Sequence, residues 1–160
     1  EKGPENPENT QCAVRIDPSK TINRLDFGFG FEDDPFFYTD ENAAHGLTEA
    51  DYKIKEDRVR QLQPDLVRCF IWWNAFNPSH DLQTIDLSNT YGQSLLRTLQ
   101  FYKDLGVPVI LCDVQWGFGG DDFRYSTSHV NQSPYLLAGI VDQLYRVYGF
   151  DNIRWVTLCN

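Results

Sequence analysis

The sequence predicts an α/β protein built on a parallel sheet, with the element order βαβαβαβ. Three observations predict it. Two apolar runs read as strands, Leu66–Trp73 and Val107–Val114, and the near-continuous first one suits a parallel strand covered on both faces. Apolar residues recur at helical spacing in the segments between the runs. Strand and helix then alternate at the spacing of right-handed βαβ units. An open doubly wound sheet and the first half of a (β/α)8 TIM barrel both satisfy this pattern, and the barrel half is the expected one. Residues 1–20 form an N-terminal arm or capping strand in this reading; residues 21–160 form four strands and three helices.

The arm is polar and proline-rich, with one short alternation, Cys12-Ala13-Val14-Arg15-Ile16. Arg24–Phe31 alternates Phe with Gly, and glycine in a strand marks a close approach of backbone or ligand. The strand opens into Glu32-Asp33-Asp34-Pro35, an acidic loop expected to be solvated. Thr48 caps a helix whose first turn carries Glu49 and Asp51. That helix runs to about Gln63, stops at Pro64, and is expected to bury Ile54, Val59 and Leu62. The run Leu66–Trp73 follows, with Arg68 as its one charge. A loop covers 74–90, and a second helix carries Leu95, Leu96, Leu99 and Tyr102 before Gly106 ends it. The next strand tolerates Pro108 at its start and opens into the glycine-rich stretch from Gln115 to Gly120. Ser133-Pro134 is a helix-start pair. The third helix shows Leu137, Ile140, Val141, Leu144 and Tyr148 on one face and closes at Gly149.

The last stretch, Asn152–Asn160, reads as a buried strand with no turn signal after it. We expect the chain to be a piece of a longer protein, cut where this strand delivers its side chains.

Composition excludes several classes. A net charge of -9 argues against nucleic acid, which demands basic surface. No apolar run reaches membrane-spanning length, so no membrane partner is expected. The polar tail from Glu1 to Asn9 fits a chain whose signal peptide has been removed, which points to a secreted protein. Cys12, Cys69, Cys112 and Cys159 form no CxxC pair, and three of them lie in predicted strands as small buried hydrophobes. The dinucleotide fingerprint and the P-loop are absent, no nucleophile elbow surrounds Ser126, Thr127 or Ser128, and His45, His80 and His129 lack partners at ligand spacing. No metal and no cofactor is expected.

In both architectures ligands bind at the carboxyl ends of the strands. Those ends carry Glu32, Trp72, Trp73, Asn74, Trp116 and Asn160. An aromatic content of 14% suits a site that stacks flat apolar faces, sugar rings among them. An Arg inside an apolar strand is rarely unpaired: Arg68 serves either a site or an ion pair with an acid on a neighbouring strand. Arg68 and Trp72 share strand parity, so both should face the same side. Asn74 is also a plain turn former.

Together these residues resemble the clan A glycoside hydrolases, retaining (β/α)8 barrels. In that clan the fourth strand ends in Asn-Glu, and Trp155-Val156-Thr157-Leu158-Cys159-Asn160 resembles that strand one residue short of the Glu. The clan carries an Arg near the end of strand two, matched by Arg68, and an aromatic or His after strand three, matched by Trp116. The resemblance covers about residues 21–160. It implies supporting catalytic roles for Asn160 and Arg68, with the acid/base and the nucleophile Glu absent from the chain. It implies an oligo- or polysaccharide substrate contacted by Trp116, Trp72, Trp73, Asn74 and Glu32. The chemistry needs these residue types. A retaining glycosidase uses two carboxyls roughly 5–5.5 Å apart, one protonated and one ionised. An Arg beside the nucleophile keeps it charged, and an Asn beside the acid binds the sugar 2-hydroxyl. The rival readings are a non-catalytic carbohydrate-binding barrel and another TIM-barrel hydrolase or isomerase.

Overall fold

The computed structural model describes residues 17, 19, 20, 28–77, 84–113 and 133–157. In chain order these form β1 (Gly30–Glu32), α1 (Asp40–Ala44), α2 (Glu49–Leu62), β2 (Leu66–Ile71), a 3₁₀ turn (Trp73–Phe76), α3 (Thr90–Asp104), β3 (Val109–Asp113), α4 (Ser133–Arg146) and β4 (Ile153–Thr157). The four strands make one sheet in the order β1-β2-β3-β4, and every pairing is parallel. The α/β fold with a parallel sheet is as the sequence predicts. The strand order never reverses among the described residues.

Consecutive order has a physical consequence. Right-handed crossovers that each step one place the same way put their helices on one face of the sheet. Burial follows that rule. Along β2, Val67, Cys69 and Ile71 are fully buried, while Leu66, Arg68 and Phe70 between them are not. The core joins the buried strand residues to Val59 of α2, Leu95 and Leu99 of α3, and Leu137, Ile140 and Leu144 of α4. The opposite face carries one row set by register: Glu32 beside Arg68, Arg68 beside Ile110, Ile110 beside Trp155. A register shift between Val109 and Ile110 places Trp155, rather than Arg154, in that row.

Local signals explain most element ends. The Asp51 carboxylate accepts both the backbone N–H and the hydroxyl of Thr48, closing the start of α2. Gln63 ends it in the left-handed region, at φ 48°, ahead of Pro64. The Asn89 side chain accepts from Gly92 N–H at 2.9 Å to cap α3. Gly28, at φ 73°, has the Asp65 carboxylate where a side chain would stand, and that carboxylate holds the Phe29 N–H at 2.7 Å. Cys69 and Cys112 are buried free thiols.

Four expectations are corrected. Val59 is buried, but Ile54 and Leu62 are exposed, and Tyr52 completes the buried face of α2. Five residues turn a helix by roughly 140°, so Ile54 and Val59 cannot share a face, whereas seven residues from Tyr52 return to within about 20°. β4 is not buried: Trp155 and Val156 are exposed, at the edge of the sheet that the described residues form. Tyr148 lies beyond the end of α4 and is also exposed. Asp33 is not solvated but 9% exposed. Residues 40–44, to which the sequence assigns no element, and 73–76, at the junction of the expected strand and loop, form short helical segments. The predicted strand over 24–29, the arm and the loop after β3 fall largely outside the described residues.

The corrected face is testable by urea unfolding. Leu99→Ala should cost about 2–5 kcal/mol, as a fully buried leucine does. Ile54→Ala should stay within about 0.5 kcal/mol. Equal losses would contradict the assignment of the buried face.

Candidate functional site at the carboxyl ends of the strands

The site begins where β1 ends. Side chains alternate along an extended chain: Phe31 packs toward the helices, Glu32 faces the uncovered side, and Asp33 returns to the helix layer. The Asp33 N–H donates to Arg68 O at 3.0 Å, extending the β1–β2 pairing by one bond. Asp33 Oδ2 accepts from Lys55 Nζ on α2 and from Tyr102 Oη on α3, each at 2.6 Å. Lys55 Nζ lies 5.3 Å from the Phe37 ring centre and 5.0 Å from that of Tyr38. Burial, and then the Asp33 charge, push the Tyr102 phenol far above its usual range, so it stays a donor.

On the uncovered face Arg68 Nη2 donates to Glu32 Oε2 at 2.7 Å. The guanidinium lies 4.6 Å from the Phe70 ring centre. Arg68 is not the buried arginine the apolar run suggests: its side chain is 41% exposed and that of Glu32 46%. Among the described residues, the helices cover the other side of the sheet. The acid on the neighbouring strand is there, and it is Glu32.

A cavity of about 430 Å³ lies at the end of β1, with Asp33 and Asp34 in its wall. Trp72 forms one wall and stacks on Phe36 with 4.3 Å between ring centres and 9° between planes. Tyr91 meets Phe36 edge-on at 5.4 Å. Its hydroxyl donates to the Glu41 carboxylate, 2.7 and 2.8 Å from the two oxygens, and this bond raises the Tyr91 pKa. Asn42 Nδ2 donates to the carbonyls of Phe36 and Phe37 at 3.0 and 3.1 Å. Ser94 Oγ on α3 donates to Pro35 O at 2.6 Å and accepts from Tyr38 N–H at 2.9 Å. The turn after β1 is therefore fastened to α3 and α1. Asp34, also in the wall, has its pKa raised by burial, while the Phe36 N–H lowers it and the charges of Asp33 and Glu32 raise it further.

Asp113 closes β3. It is 1% exposed, and neither carboxylate oxygen has a hydrogen-bond partner among the described residues. Desolvation alone pushes its pKa up to about 7.

Of the residues singled out from sequence, the structure brings Glu32 and Arg68 into contact and puts Trp72 in the cavity wall. Trp73 and Asn74 have their backbone in the 3₁₀ turn that follows β2; their side chains, and all of Trp116 and Asn160, lie outside the described residues. Sequence reasoning missed Asp33, Asp113, and the Glu41–Tyr91 pair. Asp113 had a signal: it is the one acid closing an apolar strand. Glu41 and Tyr91 are 50 positions apart with no local pattern joining them. No three His, Cys, Asp or Glu side chains converge as metal ligands among the described residues.

No protein-family model, no curated protein and no solved structure matches this chain. The geometry itself defines the class: an α/β protein whose polar and aromatic residues gather at the carboxyl ends of a consecutively ordered parallel sheet.

Asp113 yields a pH prediction. Its folded pKa, about 7, lies above the unfolded value of roughly 3.9. Between these the folded state holds a proton that the unfolded state has lost, so this group's contribution to stability falls as pH rises from about 4 to 7 and is level above. Asp113→Asn should therefore be more stable than the parent at pH 8, by on the order of 3 kcal/mol, with the gain shrinking toward pH 4. Urea unfolding of both proteins across that range checks it. A pH-independent difference would contradict the assignment.

Proposed function

We propose that this chain is the N-terminal half of a (β/α)8 barrel, and that the complete barrel is a secreted glycoside hydrolase cleaving β-linked glycans with retention. The observation that carries the reading is the Glu32–Arg68 pair on the sheet face away from the helices. Parallel sheets are ordinarily covered on both faces. In a barrel the second face turns inward and is filled by side chains from the other strands. Consecutive strand order, helices on one side and edge positions for β1 and β4 among the described residues all suit such a half.

The chemistry follows from placement. Arg68 on strand two reaches the barrel interior, where a cation holds a nucleophilic carboxylate ionised. Glu32 fixes the guanidinium from one side. Asn160, at the end of the fourth strand in this reading, hydrogen-bonds the 2-hydroxyl in the transition state. Trp72 and Trp116 supply apolar faces for sugar rings. No cofactor takes part. Secretion remains part of the proposal; among the described residues no helix is long and apolar enough to cross a membrane. The rival, a non-catalytic carbohydrate-binding barrel, shares every feature except the two catalytic carboxyls.

The test is the gene beyond codon 160 and the protein it encodes. We expect Glu directly after Asn160, a later strand ending in Glu, and hydrolysis of aryl β-glycosides whose first-formed product, by proton NMR, is the β-anomer. In that protein Asn160→Ala should lower kcat and kcat/KM together, and Trp116→Ala should mainly raise KM. The 160-residue chain alone should turn over nothing. Inversion, or full activity in Asn160→Ala, would reject the reading; other residues at both Glu positions would favour the binding protein.

A further inference from the structure

We propose that Asp113 is a pH-sensitive latch at the carboxyl end of β3: uncharged, it keeps the last rung of the β2–β3 ladder closed against the helix layer, and ionised it favours opening of that rung to water. Its position comes from register. Asp113 is the last residue of β3 and pairs with Ile71, the last residue of β2. The described pairing of β3 with β4 stops one residue earlier, at Cys112 and Thr157. Asp113 therefore sits in a terminal rung, which can open without unfolding the rest. It shares its face of the strand with Val109 and Leu111, both fully buried. This end of the sheet is the one at which α/β proteins bind ligands, so the latch lies at the rim of the candidate site.

The side chain is 1% exposed, and neither carboxylate oxygen has a hydrogen-bond partner among the described residues. An uncharged carboxyl stands in such a place at the cost of its unmade hydrogen bonds. An ionised one demands a counter-charge or several donors. The charged groups of the neighbouring elements are engaged elsewhere. On α3, which leads into β3, Arg97 binds Glu49 and Glu56, Lys103 binds Asp151 and the Gly149 carbonyl, and Asp104 accepts from Gln100. On α4, which follows β3, Arg146 binds Asp142. The 3₁₀ turn after β2 carries no charge. Arg68 of β2 lies on the other face, with Glu32. Arg154 of β4 lines a cavity with Gly106 and Pro108, at the opposite end of the strands. Burial alone acts on the Asp113 carboxyl and pushes its pKa up to about 7. In the opened rung the group meets water and returns to its ordinary value of about 3.9. Between these values the closed form keeps a proton that the open form has lost. Opening therefore becomes about tenfold more populated with each pH unit across that range, and levels off above it.

The experiment is amide hydrogen exchange of the 160-residue protein, followed by NMR between about pH 4.5 and 7.5, with and without sub-denaturing urea. Protection of the Ile71 and Cys112 amides, corrected for the intrinsic exchange rate, should fall about tenfold per pH unit up to about pH 7 and then level. The fall should not depend on urea, because a local opening exposes little surface. The Val67 amide, bonded to the Pro108 carbonyl at the other end of the same strand pair, should lack this urea-independent fall. In Asp113→Asn the slope should vanish. The Asp113 carboxyl carbon of the unaltered protein should titrate with a midpoint near 7, a measurement that stands even where the variant fails to fold. A midpoint near 4 would show that the carboxylate has donors and would overturn the inference. So would flat protection at Ile71 and Cys112, or a loss that Val67 shares and urea steepens, since that is unfolding of the whole.

Discussion

Asp33 holds the architecture in place. Its buried carboxylate takes a lysine from α2 and a tyrosine from α3 on one oxygen, and its backbone N–H continues the pairing to β2. Burying two opposite charges is costly unless geometry and extra hydrogen bonds compensate; here both donors lie at 2.6 Å and Tyr102 adds a third partner to the pair. β1 is three residues long and lies on the sheet's edge among the described residues, so its ladder alone fixes it weakly. The anchor does more than secure it. Because side chains alternate, sinking Asp33 among the helices throws Glu32 to the opposite face, where Arg68 meets it.

Magnitudes separate the roles of the two faces. The helix face carries the fully buried residues, Val67, Ile71, Leu95, Leu99, Leu111, Ile140 and Leu144 among them, each contributing roughly 1.5–3 kcal/mol of transfer free energy. The uncovered face carries an ion pair whose side chains are 41% and 46% exposed, which solvent reduces to about 1 kcal/mol or less. Stability therefore gives little reason to keep Arg68 in an apolar strand. The same argument applies to Asp113, which costs stability above neutral pH and sits at the carboxyl end of β3, the edge at which α/β sheets bind their ligands.

The parts legible in the sequence were those governed by a local period. β2 and β3 stand out as continuous apolar runs, and α3 and α4 as helical stripes, since each is buried on a broad face. Arg68 is visible because it interrupts such a run. Helix α2 misled because its apolar residues are few, and a loose count joins Ile54 to Val59 across the helix. The acidic triplet after β1 looked uniform, yet its members have three environments: Glu32 meets Arg68, Asp33 is buried by Lys55 and Tyr102, and Asp34 caps a turn. Partners 22, 36 and 69 positions away set Glu32 and Asp33 apart, while the partner of Asp34 lies two residues on. The cavity is illegible for the same reason, because Glu41 and Tyr91 meet only after α1 and α3 are packed.

The most direct test of Asp33 as anchor compares two neighbouring substitutions by equilibrium urea unfolding at pH 7. Asp33→Ala leaves the half-buried Lys55 and the buried Tyr102 without their carboxylate and should cost about 2–4 kcal/mol. Glu32→Ala removes one end of an exposed pair and should cost less than about 1 kcal/mol. Equal costs, or a larger loss from Glu32→Ala, would contradict the account.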